Sequence, residues 1–239
     1  MKFKVMAIIQ ARVGSLRLPR KVLKHLEGQT VLARVVNRVS QAKTLDKVVV
    51  ATTKNRNDNA IVSICWVNGW WCYRGSEEDV LDRYYNVASA FGADVIVRIT
   101  SDCPLIDPGL IDDAVNKFIS LGDMDYVSNL LPRTYPRGLD VEVIGMKVLE
   151  DEWRNTTENR QHVTLNIRQN PKMYNISNIA SKVDCSGARW TLDTREDLEF
   201  IRKIYKHFKD SEFTWMDVVQ LLTDNPKWIL KDTAPILEG

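Results

Sequence analysis

The chain is short of most features that would commit it to a simple class. None of its 239 residues falls in an apolar stretch approaching the roughly 20 residues that cross a bilayer, so a membrane-spanning helix is not expected. Its 33 Lys and Arg nearly balance 31 Asp and Glu, leaving a formal net charge of +2. That balance argues against a protein held mainly by nucleic-acid phosphates or anionic lipid. Glycine (11) and proline (8) are too few for a low-complexity or collagen-like chain. The four cysteines, Cys65, Cys72, Cys103 and Cys185, show no C-x-x-C spacing and no histidine at zinc-ligand distance, so reduced thiols are expected. No G-x-S-x-G elbow, G-x-x-x-x-G-K-[ST] loop or G-x-G-x-x-G fingerprint occurs, which leaves a serine hydrolase, a P-loop and a dinucleotide fold unsupported. The run Val5–Ile9 is broken at Gln10 and Arg12, too short for a secretory apolar region of about 7–15 residues. A cytoplasmic chain is expected.

What is present is a regular alternation. Val5–Gln10, Lys47–Thr52 and Asp94–Thr100 are Val/Ile-rich without polar alternation, the pattern of strands covered on both faces. Between them, Thr30–Ala42 carries Val31, Leu32, Val35, Val36 and Val39 at helical spacing. Glu77–Phe91 does the same with Val80, Leu81, Tyr84, Val87, Ala88 and Phe91, behind a capping-box-like Ser76 and Asp79. Asp107-Pro108 opens another helix. This order predicts an α/β fold, a Rossmann-like and mostly parallel sheet flanked by helices. Beyond residue 122 the pattern loosens. Tyr126–Asn129, Asp140–Ile144 and Arg189–Leu192 read as strands; Thr157–Gln169, a segment capped at Thr194 and ending near His207, and Thr214–Leu222 read as helices. One domain over residues 1–239 is expected, with a less regular insertion at 125–180 for a second ligand or a subunit contact. The cluster Trp66, Trp70 and Trp71 reads as core or interface rather than a base-stacking platform.

The loop after the first strand is the most informative segment. Arg12, Arg17, Arg20 and Lys21 stand within ten residues, with Gly14 and Ser15 allowing a tight turn. Ligands of open α/β sheets bind at the carboxyl ends of strands, and a mixture of Arg forks and a Lys point charge suits a polyphosphate. A solvated basic loop is the plainer alternative. Asp102 follows the third long strand and would face the same crevice, where a carboxylate beside phosphates is a usual way to hold Mg²⁺. Asp193 repeats that placement, although from its own segment a turn or helix-cap carboxylate is the better explanation. Arg74-Gly75-Ser76 offers a helix N-terminus to a nucleoside or anion, while capping alone accounts for Ser76 and Asp79, and Arg83 could pair with Asp79.

Taken together, these segments resemble the cytidylyltransferases that activate sugar acids, within the nucleotide-diphospho-sugar transferase superfamily. The branch they resemble is the SpsF type, related to CMP-Kdo and CMP-sialic acid synthetases. The motifs run from Ala7-Ile8-Ile9-Gln10-Ala11-Arg12 through Ser15, Arg17-Leu18-Pro19 and Lys21 to Gly75-Ser76-Glu77 and Asp79–Tyr85. They continue with Asp102–Pro108, Tyr135–Val143, His162-Val163-Thr164 and Arg189–Thr194. The resemblance implies that Ala11, Arg12, Ser15, Arg17 and Lys21 cradle a triphosphate and that Ser76, Asp79 and Arg83 lie near the nucleoside. It implies Mg²⁺ on Asp102 and Asp193, a sugar acid facing Asp140, Glu142 and His162, and a homodimer. Ser101 departs from the family's Gly, and Gln161 and Leu165 from its Glu and Pro.

The expected enzyme transfers a nucleotidyl group from CTP to a sugar acid for surface polysaccharide synthesis, with Arg12, Arg17, Lys21 and Asp102 as its catalytic residues. A glycosyltransferase of related fold is one rival; its D-x-D candidate, Asp123-Met124-Asp125, precedes its strand rather than following it. The other is a nucleotide-binding protein without catalysis.

Overall fold

Val- and Ile-rich runs need cover on both faces, and the computed structural model, which describes residues 3–209 and 212–230, places them at the centre of a sheet. The remaining residues of the expected 1–239 domain lie outside the described ones. Strand β1 (Val5–Gln10) leads through a loop to a small ribbon, β2 (His25–Leu26) with β3 (Gln29–Thr30), and to α1 (Val31–Val39). Next come β4 (Lys47–Thr53), α2 (Asn59–Val67), β5 (Trp71–Gly75), α3 (Val80–Phe91), β6 (Val95–Thr100) and α4 (Pro108–Leu121). The second half adds β7 (Tyr126–Ser128), β8 (Glu142–Gly145), α5 (Met146–Asn155), α6 (Leu165–Gln169), β9 (Ile176–Asn178), α7 (Arg195–Phe208) and α8 (Trp215–Asp224).

The seven-stranded sheet has the order β5-β4-β1-β6-β8-β7-β9. All its pairs are parallel except those of β8, which runs against both β6 and β7. Alternation along β1 divides the core in two. Val5, Ala7 and Ile9 pack on the side of α1, α4 and α7, whereas Met6 and Ile8 pack on the side of α3, α5 and α6. Each such fully buried aliphatic contributes about 1.5–3 kcal/mol relative to exposure. The carboxyl ends of β1, β4 and β6 therefore open on one edge of a well-anchored sheet. No helix among the described residues is long and apolar enough to cross a membrane.

Several elements differ from expectation. Helix α3 starts at Val80 rather than Glu77, because the Asp79 side chain caps it by accepting from Asp82 N; Ser76 Oγ accepts from Asp79 N one turn earlier. Of the expected helix 157–169 only α6 forms. Asn159 takes a left-handed backbone, and turn bonds from His162 N to Asn159 O and Leu165 N to His162 O hold the rest as a loop. Arg189–Leu192 makes one parallel bridge to Arg137 instead of a strand. Helix α1 ends at Val39, where Ser40 N closes on Val36 O. Helices α2 and α5 and strands β5 and β9 have no counterpart in the reading of the sequence. Residues 125–180 carry β7, β8 and β9 of the same sheet. Trp66 and Trp71 are largely exposed, so neither belongs to the core; Trp70 packs partly against it.

Gly138 shows how tightly the crossing near Arg189 is built. Its φ is +107°, and a Cβ there would sit 2.7 Å from the Trp190 carbonyl carbon and 2.8 Å from Thr191 N, both backbone atoms. Gly138→Ala is expected to lower stability by about 1–3 kcal/mol, read from the midpoint of urea unfolding.

Candidate active site

The loop after β1 is built by backbone bonds rather than by its charges. Ala11 N donates to Ala51 O (3.1 Å), Arg20 N to Val13 O (3.2 Å), and Val13 N to the buried Asp58 carboxylate (2.7 Å). Asp58 also takes the Thr53 hydroxyl, which ties the loop to the end of β4. Ser15 Oγ accepts from Leu18 N at 3.4 Å. Arg20, with φ of +57°, occupies the left-handed region that costs a non-glycine residue about 1–2 kcal/mol, and precedes a single 3-10 turn over Lys21–Leu23. That backbone turn directs Arg20 and Lys21 to different surfaces.

Lys21 points into a cavity of about 730 Å³ at the carboxyl edge of the sheet. Its ammonium lies 2.8 Å from Asp102 Oδ2 and 2.9 Å from Asp193 Oδ1. Asp102 stands just past β6, where Ser101 N is bonded to Gln10 O (3.1 Å). Asp193 is placed by a long-range bond from its neighbour, Leu192 N to Asp102 O (2.8 Å), which follows the crossing of Arg189 over Arg137. Capping of α7 falls to Thr194 and Asp197, with Asp193 N itself donating to Asp197 Oδ2. The Asp193 carboxylate is thereby free of the cap and meets Arg17 at 3.0 Å as well as Lys21. Burial opposes both charges of the Lys21–Asp102 pair, yet each partner overrides it. Lys21 is held above the usual lysine value, chiefly by Asp102, and Asp102 below the usual carboxylate range by Lys21.

Of the four loop cations, Arg12, Arg17 and Lys21 line this cavity with Ala11 and Ser15, whereas Arg20 lines a separate hollow. Arg83 lines it from α3, its Nη1 bonded to Ser76 O. Ser76 and Asp79 are not in the lining; the Asp79 carboxylate pairs with Arg160 (2.7 Å) rather than Arg83. His162 reaches the cavity, and so does Gln161. Asp140 is turned away in a bidentate pair with Arg133 (2.6 and 3.0 Å).

Glu142 does not line the cavity either. It is 1 % exposed and forms a cross-strand ion pair with Arg98, which does. Its other oxygen accepts from the Tyr126 hydroxyl (2.6 Å) and from Thr164. Burial pushes the Glu142 carboxyl up, but Arg98 and these hydrogen bonds bring it below the usual carboxylate range. Arg98 was not singled out from the sequence, although a lone cation inside a Val/Ile strand is a signal in itself. Glu77 is another unread lining residue, held by Asn55 at 3.0 Å.

The D-x-D candidate takes no part: Asp125 accepts from Asn175 N, and Asp123 offers its carbonyl to the Asn175 amide. No group of three or more His, Cys, Asp or Glu suited to a metal occurs among the described residues. Asp102 and Asp193 are two hard oxygen donors sharing one cation, a set that fits a divalent ion when phosphate oxygens and water complete the shell.

A family model described as cytidylyltransferase matches residues 6–216. The chain is 35% identical over 234 residues to the spore coat polysaccharide biosynthesis protein SpsF of Bacillus subtilis, covering 93% of this chain and 95% of that protein. Among solved structures, a cytidylyltransferase from Leptospira borgpetersenii superposes with a TM-score of 0.93 at 32% identity, covering 97% of this chain and 99% of the other. A CMP:2-keto-3-deoxy-manno-octonic acid synthetase complexed with CTP gives a TM-score of 0.65 at 19% identity over 85% of this chain and 99% of that one, a likeness of fold.

Proposed function

The chain belongs to the cytidylyltransferase family, and from that premise we propose that it transfers CMP from CTP to the anomeric hydroxyl of a sugar acid. The observation that carries this reading is the single Lys21 ammonium held between Asp102 and Asp193 in a cavity also lined by Arg12 and Arg17. That grouping suits a polyphosphate far better than a neutral ligand.

In the reaction, the acceptor hydroxyl gives up its proton to solvent as its oxygen attacks the α-phosphorus in line; a new phosphorus–oxygen bond forms, and the bond to the β-phosphate breaks to release pyrophosphate. Arg12, Arg17 and Lys21 orient the triphosphate and stabilise charge gathering on the departing pyrophosphate; electrostatic positioning supplies most of the rate. Asp102 and Asp193 would hold Mg²⁺, which supplies charge neutralisation and orientation of the phosphates when bound. Arg83 lies toward the nucleoside, with Ser76 and Asp79 shaping the turn behind it. His162 faces the sugar acid and Glu142 acts through Arg98, whereas Asp140, taken by Arg133, lies outside the cavity. The family resemblance also supports a cytoplasmic homodimer with a contact in residues 125–180.

Pyrophosphate release measured with CTP, GTP, UTP and ATP across a panel of sugar acids tests the reading. Release is expected with CTP far above the other nucleotides, to depend on the acceptor, and to be abolished by EDTA and restored by Mg²⁺. Release that ignores the base, or none with CTP and any sugar acid, would sink it.

A further inference from the structure

Behind the phosphate loop lies a second hollow of about 600 Å³, within the range of about 300–1,000 Å³ typical of small-molecule sites. One wall is the stretch from Leu18 to His25; the other is a stripe of α7, Arg195, Leu198, Glu199 and Arg202, spaced as neighbours on one helix face. Leu18 and Leu198, both buried, give it an apolar floor.

Its charge is one-sided. Arg20, Lys24, Arg195 and Arg202 face a single carboxylate, Glu199, which is taken by Arg202 at 2.8 Å. Arg20, Lys24 and Arg195 have no ion pair or side-chain hydrogen bond among the described residues. The surplus of three positive charges in this one hollow exceeds the +2 of the whole chain. It is therefore a local concentration of charge rather than a share of a basic surface. Concave walls with an apolar floor focus such a field on a small anion, and Arg forks match phosphoryl oxygens. No Phe, Tyr or Trp lines the hollow, and His25 is its one ring, so the successive stacking that single-stranded nucleic acid uses has no platform.

We infer that this hollow binds a compact phosphoryl anion, at a site separate from the cavity holding Lys21, Asp102 and Asp193. The two sites share a wall. Arg20 serves the hollow and the adjacent Lys21 serves the cavity, on opposite sides of the same turn. The site does not depend on the nucleotidyl-transfer reading.

Isothermal titration of the full chain at physiological salt, with pyrophosphate and separately with glucose 1-phosphate, tests it against a Lys24→Ala/Arg195→Ala double variant. The wild-type chain is expected to bind one equivalent more than the double variant, whose pyrophosphate-release turnover and melting temperature stay at wild-type levels. An extra equivalent of pyrophosphate alone assigns the hollow to a bridged diphosphate, and an extra equivalent of both assigns it to phosphoryl groups generally. Equal stoichiometry in the two proteins with both anions overturns the inference. Failure of the proposed enzymatic reaction would show instead as no pyrophosphate release from CTP, leaving this difference in stoichiometry intact.

Discussion

Lys21→Ala is expected to lower kcat for nucleotidyl transfer by about 10²–10³-fold, the usual cost of removing one preorganised charge from a transition state. The KM for CTP should rise less, because Arg12 and Arg17 still line the cavity and, in the proposed reaction, would hold the triphosphate. Stability should change little by comparison. The Lys21 side chain gives up a favourable pair with Asp102 and Asp193, but both carboxylates keep access to the cavity, with side-chain exposures of 28% and 18%. Steady-state kinetics beside a thermal melt checks both halves. A variant that turns over at near wild-type rate would remove Lys21 from the chemistry, and one that fails to fold would make it a structural lysine. Asp102→Asn should show a comparable loss of kcat with an increased Mg²⁺ requirement.

The second large effect concerns stability. Glu142→Gln should cost about 3 kcal/mol near neutral pH, since removing one partner of a buried ion pair leaves the other uncompensated. Arg98 would then lose its counter-charge, and Arg168, 3.9 Å from the same carboxylate, would lose part of its own. The sign of the pH dependence follows from the depressed Glu142 carboxyl. A carboxyl depressed on folding contributes stability that is present above its ordinary value of about 4.3, and that is lost as pH falls through the folded-state value. The gap between wild-type and variant unfolding free energies should therefore be full at pH 7 and narrow as pH drops below about 4. A gap that stays constant into acid would show that Glu142 acts by shape alone. Because Arg98 lines the cavity, the variant should also weaken turnover at pH 7.

How much of this was legible depended on what each segment has to bury. Strands β1, β4 and β6 lie inside the sheet and are covered on both faces, so their Val and Ile runs announced them. Strand β5 has one neighbour and an open edge, and Trp71-Cys72-Tyr73-Arg74 carries no comparable run. Residues 157–164 carry nothing that forbids a helix; the long-range bond from Leu81 N to Arg160 O and the Arg160–Asp79 pair hold them in a loop. In the site, the loop cations were readable as a group, but the backbone reversal at Arg20, which separates it from Lys21, was not. Asp193 was ambiguous by itself. Its meeting with Asp102 rests on a contact between distant segments, and no local pattern encodes that.

That contact also bears on when the site comes into being. Lys21 and Asp193 are 172 residues apart, and Lys21 and Asp102 are 81 apart. A growing chain can pair β1 with β4 and β6 and bring Lys21 to Asp102 long before residue 192 is synthesised. The second carboxylate arrives only with the segment whose Leu192 N closes on Asp102 O, a loop closure of the kind that forms slowly and late. The pairing of both carboxylates with Lys21 is thus withheld from a nascent chain, and its completion marks that the segment around Leu192 has docked.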